Sequence, residues 1–294
     1  MGMDACTLCP RMCGVNRAAG EKGYCGMDAT IRAARAALHM WEEPCISGTR
    51  GSGAVFFSGC SLRCIFCQNF EIAEGNCAKE ISGERLSEIF MELQEQRAAN
   101  INLVTAAHYV PAVIESLKKA KAQGMDLPVI YNSSGYERVE TVQMLEEVVD
   151  VWLPDFKYMD SKLAFAYSRA KDYPEVARAA IREMMKAAGT CAYDEDGYIQ
   201  KGVIVRHLIL PGHTKNSIAV LDELYGTYGD DLTISLMNQY TPLPQVRNIP
   251  DLNRRVTKRE YEKVLDHALD LGITQGFFQE GGTAKESFIP LFDY

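Results

Sequence analysis

Three cysteines, Cys60, Cys64 and Cys67, stand in the stretch Gly59-Cys-Ser-Leu-Arg-Cys-Ile-Phe-Cys-Gln-Asn69. They follow directly on the apolar run Ala54-Val-Phe-Phe-Ser58. The spacing is C-x3-C-x2-C. Three thiolates can hold three irons of a [4Fe–4S] cluster and leave the fourth iron open, whereas four would close the site. An open iron at the end of a strand is a place to bind and reduce a cofactor. Two plainer alternatives exist. Zinc knuckles pair C-x2-C with a second pair or with histidines, but no histidine lies between His39 and His108, and Cys45 and Cys77 have no knuckle spacing to the triad. Inert core cysteines are common, but they do not account for the spacing.

A second group opens the chain: Cys6-Thr-Leu-Cys9-Pro-Arg-Met-Cys13-Gly, then Gly23-Tyr-Cys25-Gly26. Four thiolates at C-x2-C-x3-C-x11-C make a closed site, for zinc or for a second iron–sulfur cluster. Gly14, Gly20, Gly23 and Gly26 let a short segment wrap a metal, and the metal would supply the folding energy that so small a core lacks. Cysteines that only pack or stay free are the alternative.

The elements that must carry these groups come from the rest of the chain. Its 294 residues, 47% hydrophobic, suit one large α/β domain with a small appendage. No run approaches the ~18 apolar residues of a membrane span, and the N-terminus has no secretory pattern, so a cytoplasmic protein is expected. Thirty-one basic against 39 acidic residues give a net charge of −8, which argues against nucleic-acid or membrane binding. In such a chain ten cysteines suggest metal or catalysis rather than disulfides.

Residues 28–53 read as a connector, with a short helix or strand at 29–40 and a flexible stretch at 48–53. Residues 54–58 form the first strand, and 59–81 a long loop. Helical spacing follows over 82–97, with Ser82 as a cap, then over 110–123, 137–149, 174–188, 215–228 and 258–271. Strands are predicted at 101–105, 128–131, 150–154, 202–210 and 232–237. Six strands alternating with helices imply parallel β/α units with right-handed crossovers. The fold class is then α/β, a partial (β/α)6 TIM-like barrel whose site lies at the C-terminal strand ends. The boundaries are 1–53 for the cysteine-rich segment and connector, and 54–294 for the barrel with a C-terminal extension. No G-x-G-x-x-G or Walker A loop supports a nucleotide fold.

Cys60-x3-Cys64-x-Phe66-Cys67 resembles the cluster motif of the radical S-adenosylmethionine (SAM) superfamily, including the aromatic before the third cysteine. Gln68-Asn69, and the N-terminal Cys-Thr-Leu-Cys-Pro-Arg-Met-Cys-Gly, are similar to pyruvate formate-lyase activating enzyme-related proteins of the PflX-like group. The resemblance covers roughly residues 54–245. It implies an oxidoreductase that reductively cleaves SAM at the cluster to methionine and a 5′-deoxyadenosyl radical, which abstracts hydrogen from a substrate. It also implies an electron donor such as flavodoxin or ferredoxin, and a substrate that could be a glycyl radical enzyme. The rival class is an iron–sulfur or zinc electron-transfer protein without SAM chemistry.

The resemblance also assigns strand-end residues to the cofactor. Phe66 belongs to the motif. Asn132-Ser133, in Tyr131-Asn-Ser-Ser-Gly-Tyr136, match an Asp-Thr pair that helps hold a monovalent cation and SAM; a plain turn also favours these residues. Pro154-Asp155-Phe-Lys157 looks like an Asp-Leu-Lys motif. Asp155 and Lys157 are two apart and share one side of an extended segment; a surface ion pair worth ~0–1 kcal/mol is the alternative. Arg206 interrupts an apolar strand and needs a partner for its charge, either the SAM carboxylate, held bidentately, or a protein carboxylate. The usual Gly-Gly-Glu contact to the SAM amino group is absent after 101–105, where Thr105 or His108 would replace it; a structural histidine is the alternative at His108. Thr241 stands where the activases place a histidine. Glu280 is a lone carboxylate, expected to be structural or to face substrate.

Overall fold

The computed structural model describes residues 2–274 and 276–279. Its strands are β1 (Ile31–His39), β2 (Ser52–Phe57), β3 (Lys79–Ile81), β4 (Ile101–Val104), β5 (Val129–Ser133), β6 (Val151–Pro154), β7 (Ala192–Tyr193), β8 (Ile199–Leu208), β9 (Thr233–Met237) and β10 (Gly276–Phe278). The α-helices are α1 (Pro44–Ser47), α2 (Phe70–Ala73), α3 (Gly83–Glu95), α4 (Val110–Ala122), α5 (Val139–Leu145), α6 (Ser161–Ser168), α7 (Tyr173–Ala188), α8 (Thr214–Tyr228) and α9 (Lys258–Asp270).

One sheet runs in the order β10-β9-β8-β6-β5-β4-β2-β1-β3, with β7 beside β8. The stretch from β2 to β10 is parallel throughout. This is the expected α/β fold with six parallel strands in chain order, and β10 adds a seventh on the outer edge. Every residue of β2, β4 and β6 is buried, which is the mark of strands covered on both faces. The described strands leave two unpaired ends, β3 and β10.

Local signals explain the helices. Ser82 caps α3 by accepting from the Arg85 N–H. Pro111 and Pro174 sit in the first turns of α4 and α7, where a missing N–H costs nothing. Thr257 and Glu260 form a reciprocal capping box on α9.

The structure departs from the sequence expectation in several stretches: α6 and β7 lie outside the expected elements, and three others change what the segment does. The connector is part of the sheet: β1 pairs antiparallel with β2 from Ala33↔Phe57 to His39↔Ser52. The stretch 48–53, expected to be flexible, runs into β2 and is held by Gly53 N–H on the Asn100 carbonyl. The loop after the third cysteine contains α2 and β3, and β3 pairs with β1. In each case pairing with a remote strand orders a segment whose own pattern is weak. Glu280 lies outside the described residues.

Candidate functional site

The C-terminal ends of the parallel strands open on one cavity of about 590 Å³. The loop after β2 brings Cys60, Cys64 and Cys67 to its wall. That loop starts at Gly59, where φ is +90° and a Cβ would stand 2.4 Å from Met27 Cγ and 2.9 Å from the Cys25 carbonyl. Only glycine lets the chain turn there against the N-terminal segment. Phe66 is buried, edge-on to Tyr167 with ring centroids 6.3 Å apart and tilted to Tyr240 at 6.2 Å.

The other strand ends complete the wall. Asn132 and Ser133 follow from β5, Asp155 and Lys157 from β6, and Arg206 from β8. Lys157 Nζ lies 2.5 Å from Asp155 Oδ2, with the side chains 17% and 22% exposed, so this is no surface pair. Burial alone would lower the Lys157 ammonium; the Asp155 carboxylate outweighs it and holds the group above its ordinary range. Ser133 Oγ accepts the Gly135 N–H at 3.2 Å, so that side chain shapes the turn as well as the wall.

Arg206 already has partners, and they are protein carboxylates. Its Nε donates to Glu43 Oε1 at 2.8 Å, and Nη2 donates to both Glu42 and Glu43. Glu42 Oε1 also accepts from Asn102 Nδ2 at 3.0 Å and faces Asn132 Nδ2 at 3.5 Å. Burial would raise the Glu43 carboxyl, but Arg206 outweighs it and holds the group below its ordinary range. Glu42 and Glu43 were missed in the sequence because they fall in the supposed connector. Their only signal is two adjacent carboxylates just before Pro44.

Thr105 reaches the cavity wall with a positive φ of 61°. His108 does not: it is buried, its Nε2 lies 2.7 Å from the Ser58 carbonyl, and burial pushes its pKa down to about 3. It is the structural histidine of the two alternatives.

The cysteines differ in surroundings. Burial pushes the Cys67 thiol up to about 12 and raises Cys64 too. At the N-terminus Cys6, Cys9 and Cys25 are buried and Cys13 is exposed. A Cβ on Gly23 would lie 2.9 Å from Cys13 Sγ and 3.8 Å from Cys25 Sγ, so those two sulfurs face one glycine. Among the described residues no three His, Cys, Asp or Glu side chains stand together as ligands of a single metal ion.

Residues 47–170 match the 4Fe-4S single cluster domain family. The chain is 29% identical over 269 residues to an uncharacterized protein of Methanocaldococcus jannaschii, covering 90% of this chain and 74% of that protein. Its fold is similar to Streptococcus suis SuiB bound to S-adenosylmethionine, with a TM-score of 0.52 and 12% identity over 76% of this chain and 49% of that one. It is also similar to HydG, a maturase of the [FeFe]-hydrogenase, with a TM-score of 0.53 and 15% identity over 78% of this chain and 52% of that one. The chain spans about half the length of those two proteins. No helix among the described residues is long and apolar enough to cross a membrane.

Proposed function

We propose that the chain is a radical SAM enzyme in which Cys60, Cys64 and Cys67 hold a [4Fe–4S] cluster beside SAM, and that it abstracts hydrogen from a substrate; the match to a 4Fe-4S single cluster domain and the fold shared with SAM-bound SuiB support this reading. The observation that carries this is the cavity itself: three cysteines and a half-buried Asp–Lys pair line it together at the C-terminal ends of parallel strands. When bound, the cluster and SAM supply the chemistry, one electron breaking the S–C5′ bond to methionine and a 5′-deoxyadenosyl radical.

The chain's own residues bind and orient. Lys157 keeps its proton because Asp155 lies against it, so it offers a fixed positive charge to a carboxylate. Asp155 Oδ1 is the acceptor left for a hydroxyl or an ammonium, since Oδ2 faces Lys157. Asn132 and Ser133 stand beside them. Arg206, neutralised by Glu42 and Glu43, serves as a rigid strut of the wall. Phe66 and its aromatic neighbours exclude water from the cysteine side.

Within this reading, the substrate is either the backbone glycine of a glycyl radical enzyme or a small molecule or other macromolecule modified directly. The electron comes from a flavodoxin- or ferredoxin-type donor. The test is to reconstitute the protein anaerobically, reduce it with dithionite, add SAM and measure 5′-deoxyadenosine. Formation well above a Cys64→Ala control is expected. Equal yields would leave an electron-transfer protein without SAM chemistry.

A further inference from the structure

The middle cysteine of the triad has polar company that the proposed reaction does not account for. Ser168, the last residue of α6, is 1% exposed, and its Oγ donates to Cys64 Sγ at 3.1 Å. Tyr158 is fully buried, with its hydroxyl 2.8 Å from the same Oγ. A serine hydroxyl carries one proton. With that proton on Cys64, the second bond must run from the tyrosine, so Tyr158 donates to Ser168 and polarises it.

The backbone fixes this chain of hydroxyls against the cysteine loop. Ile65 N–H donates to the Tyr167 carbonyl at 2.9 Å. Arg11 spans both sides: Nε donates to the Ser61 carbonyl at 2.9 Å, Nη2 to Ser168 at 2.8 Å and Nη1 to Arg169 at 2.6 Å. Its guanidinium lies 4.1 Å from the centre of the Tyr24 ring. One N-terminal arginine thus ties the loop between Cys60 and Cys64 to the end of α6. Cys60 is served differently, its Sγ accepting from the Leu62 backbone N–H at 3.4 Å.

We infer that Ser168 is a positioning residue for the ligand Cys64, its hydroxyl donating to the ligand sulfur and raising the reduction potential of the cluster held there. This rests on the cluster proposed at Cys60, Cys64 and Cys67. A donor on a ligand sulfur draws off negative charge and so favours the reduced, more negative state. Tyr158 strengthens that donor from behind.

The experiment is a potentiometric titration of anaerobically reconstituted protein, following the electron paramagnetic resonance signal of the reduced cluster. Wild type, Ser168→Ala and Tyr158→Phe are compared at equal iron content. Ser168→Ala is expected to shift the midpoint to a more negative potential, and Tyr158→Phe to shift it less in the same direction. A Ser168→Ala midpoint equal to wild type overturns the inference. Should that variant fail to hold a cluster, Tyr158→Phe, which removes one oxygen, decides: an unchanged midpoint there overturns it too. If wild type itself takes up no cluster, the inference and the proposed function fall together. If the midpoints shift as expected while no 5′-deoxyadenosine forms from SAM, the inference stands and the proposed function falls.

Discussion

Replacing Arg206 with methionine removes the one cation between Glu42 and Glu43. The three side chains are 12%, 9% and 6% exposed, so water does little to replace the lost charge. At an effective dielectric of about 20, each pair at ~4 Å is worth about 4 kcal/mol in gross Coulomb energy. Two pairs give roughly 8 kcal/mol, set against a desolvation cost of several kcal/mol per ion; breaking such a buried pair typically costs about 3–5 kcal/mol. With a urea m-value of about 3 kcal/mol/M, the unfolding midpoint should fall by about 1–1.7 M at pH 7. The pH dependence adds a second check. In wild type the Glu43 carboxyl lies below its ordinary range. It therefore stabilises the fold above the unfolded carboxylate value of about 4.3, and that contribution is lost as pH falls through the lower folded value. Without Arg206, burial acts alone on Glu43 and its folded carboxyl lies above the unfolded value. The variant then recovers as Glu43 takes up a proton, and the gap narrows from pH 7 towards pH 4. Glu42→Gln and Glu43→Gln added to Arg206→Met should restore part of the loss. Unfolding within ~0.5 kcal/mol of wild type at pH 7, or a gap that does not narrow in acid, would refute the reasoning.

Further outcomes are expected elsewhere. Lys157→Met should weaken SAM binding by about 10- to 100-fold by calorimetry, the worth of one hydrogen bond to a charged group; unchanged affinity removes Lys157 from the cofactor. Gly135 has a φ of +73°, and a Cβ there would stand 2.1 Å from the Asp155 carbonyl. Gly135→Ala should cost about 1–3 kcal/mol in thermal or urea unfolding and displace Asp155, lowering SAM affinity as well. Glu260 caps α9 and pairs with Arg254 at 2.7 Å, partly exposed, which holds its carboxyl below the ordinary range. Glu260→Gln should cost about 1–2 kcal/mol at pH 7, a difference that disappears as pH falls below the unfolded carboxylate value towards the folded one. Triple replacement of Cys60, Cys64 and Cys67 by alanine should leave iron or zinc on the N-terminal cysteines by elemental analysis; a metal-free product would mean that Cys6, Cys9, Cys13 and Cys25 are free thiols.

What the sequence by itself determined is the scaffold and the place of Cys60, Cys64 and Cys67 after the first parallel strand. Strand and helix periodicity report which residues face the core, and parallel strands in one sheet must be joined by right-handed crossovers. The partial-barrel reading places the strands side by side in chain order, and β2-β4-β5-β6-β8-β9 is the order in the sheet. The C-x3-C-x2-C spacing is local, so it too was legible. Only the tertiary structure decided the partners. Arg206 had two candidate anions, and Glu43, 163 residues away, took the place; no pattern within β8 points to it. His108 could face the cofactor or the core, and the Ser58 carbonyl settled it in the core. Ser168 carries no motif at all, and meets Cys64 because α6 ends against the cysteine loop. Buried charges and hydroxyls are satisfied by whatever group the packing brings within about 3 Å, and that distance is a property of the folded chain.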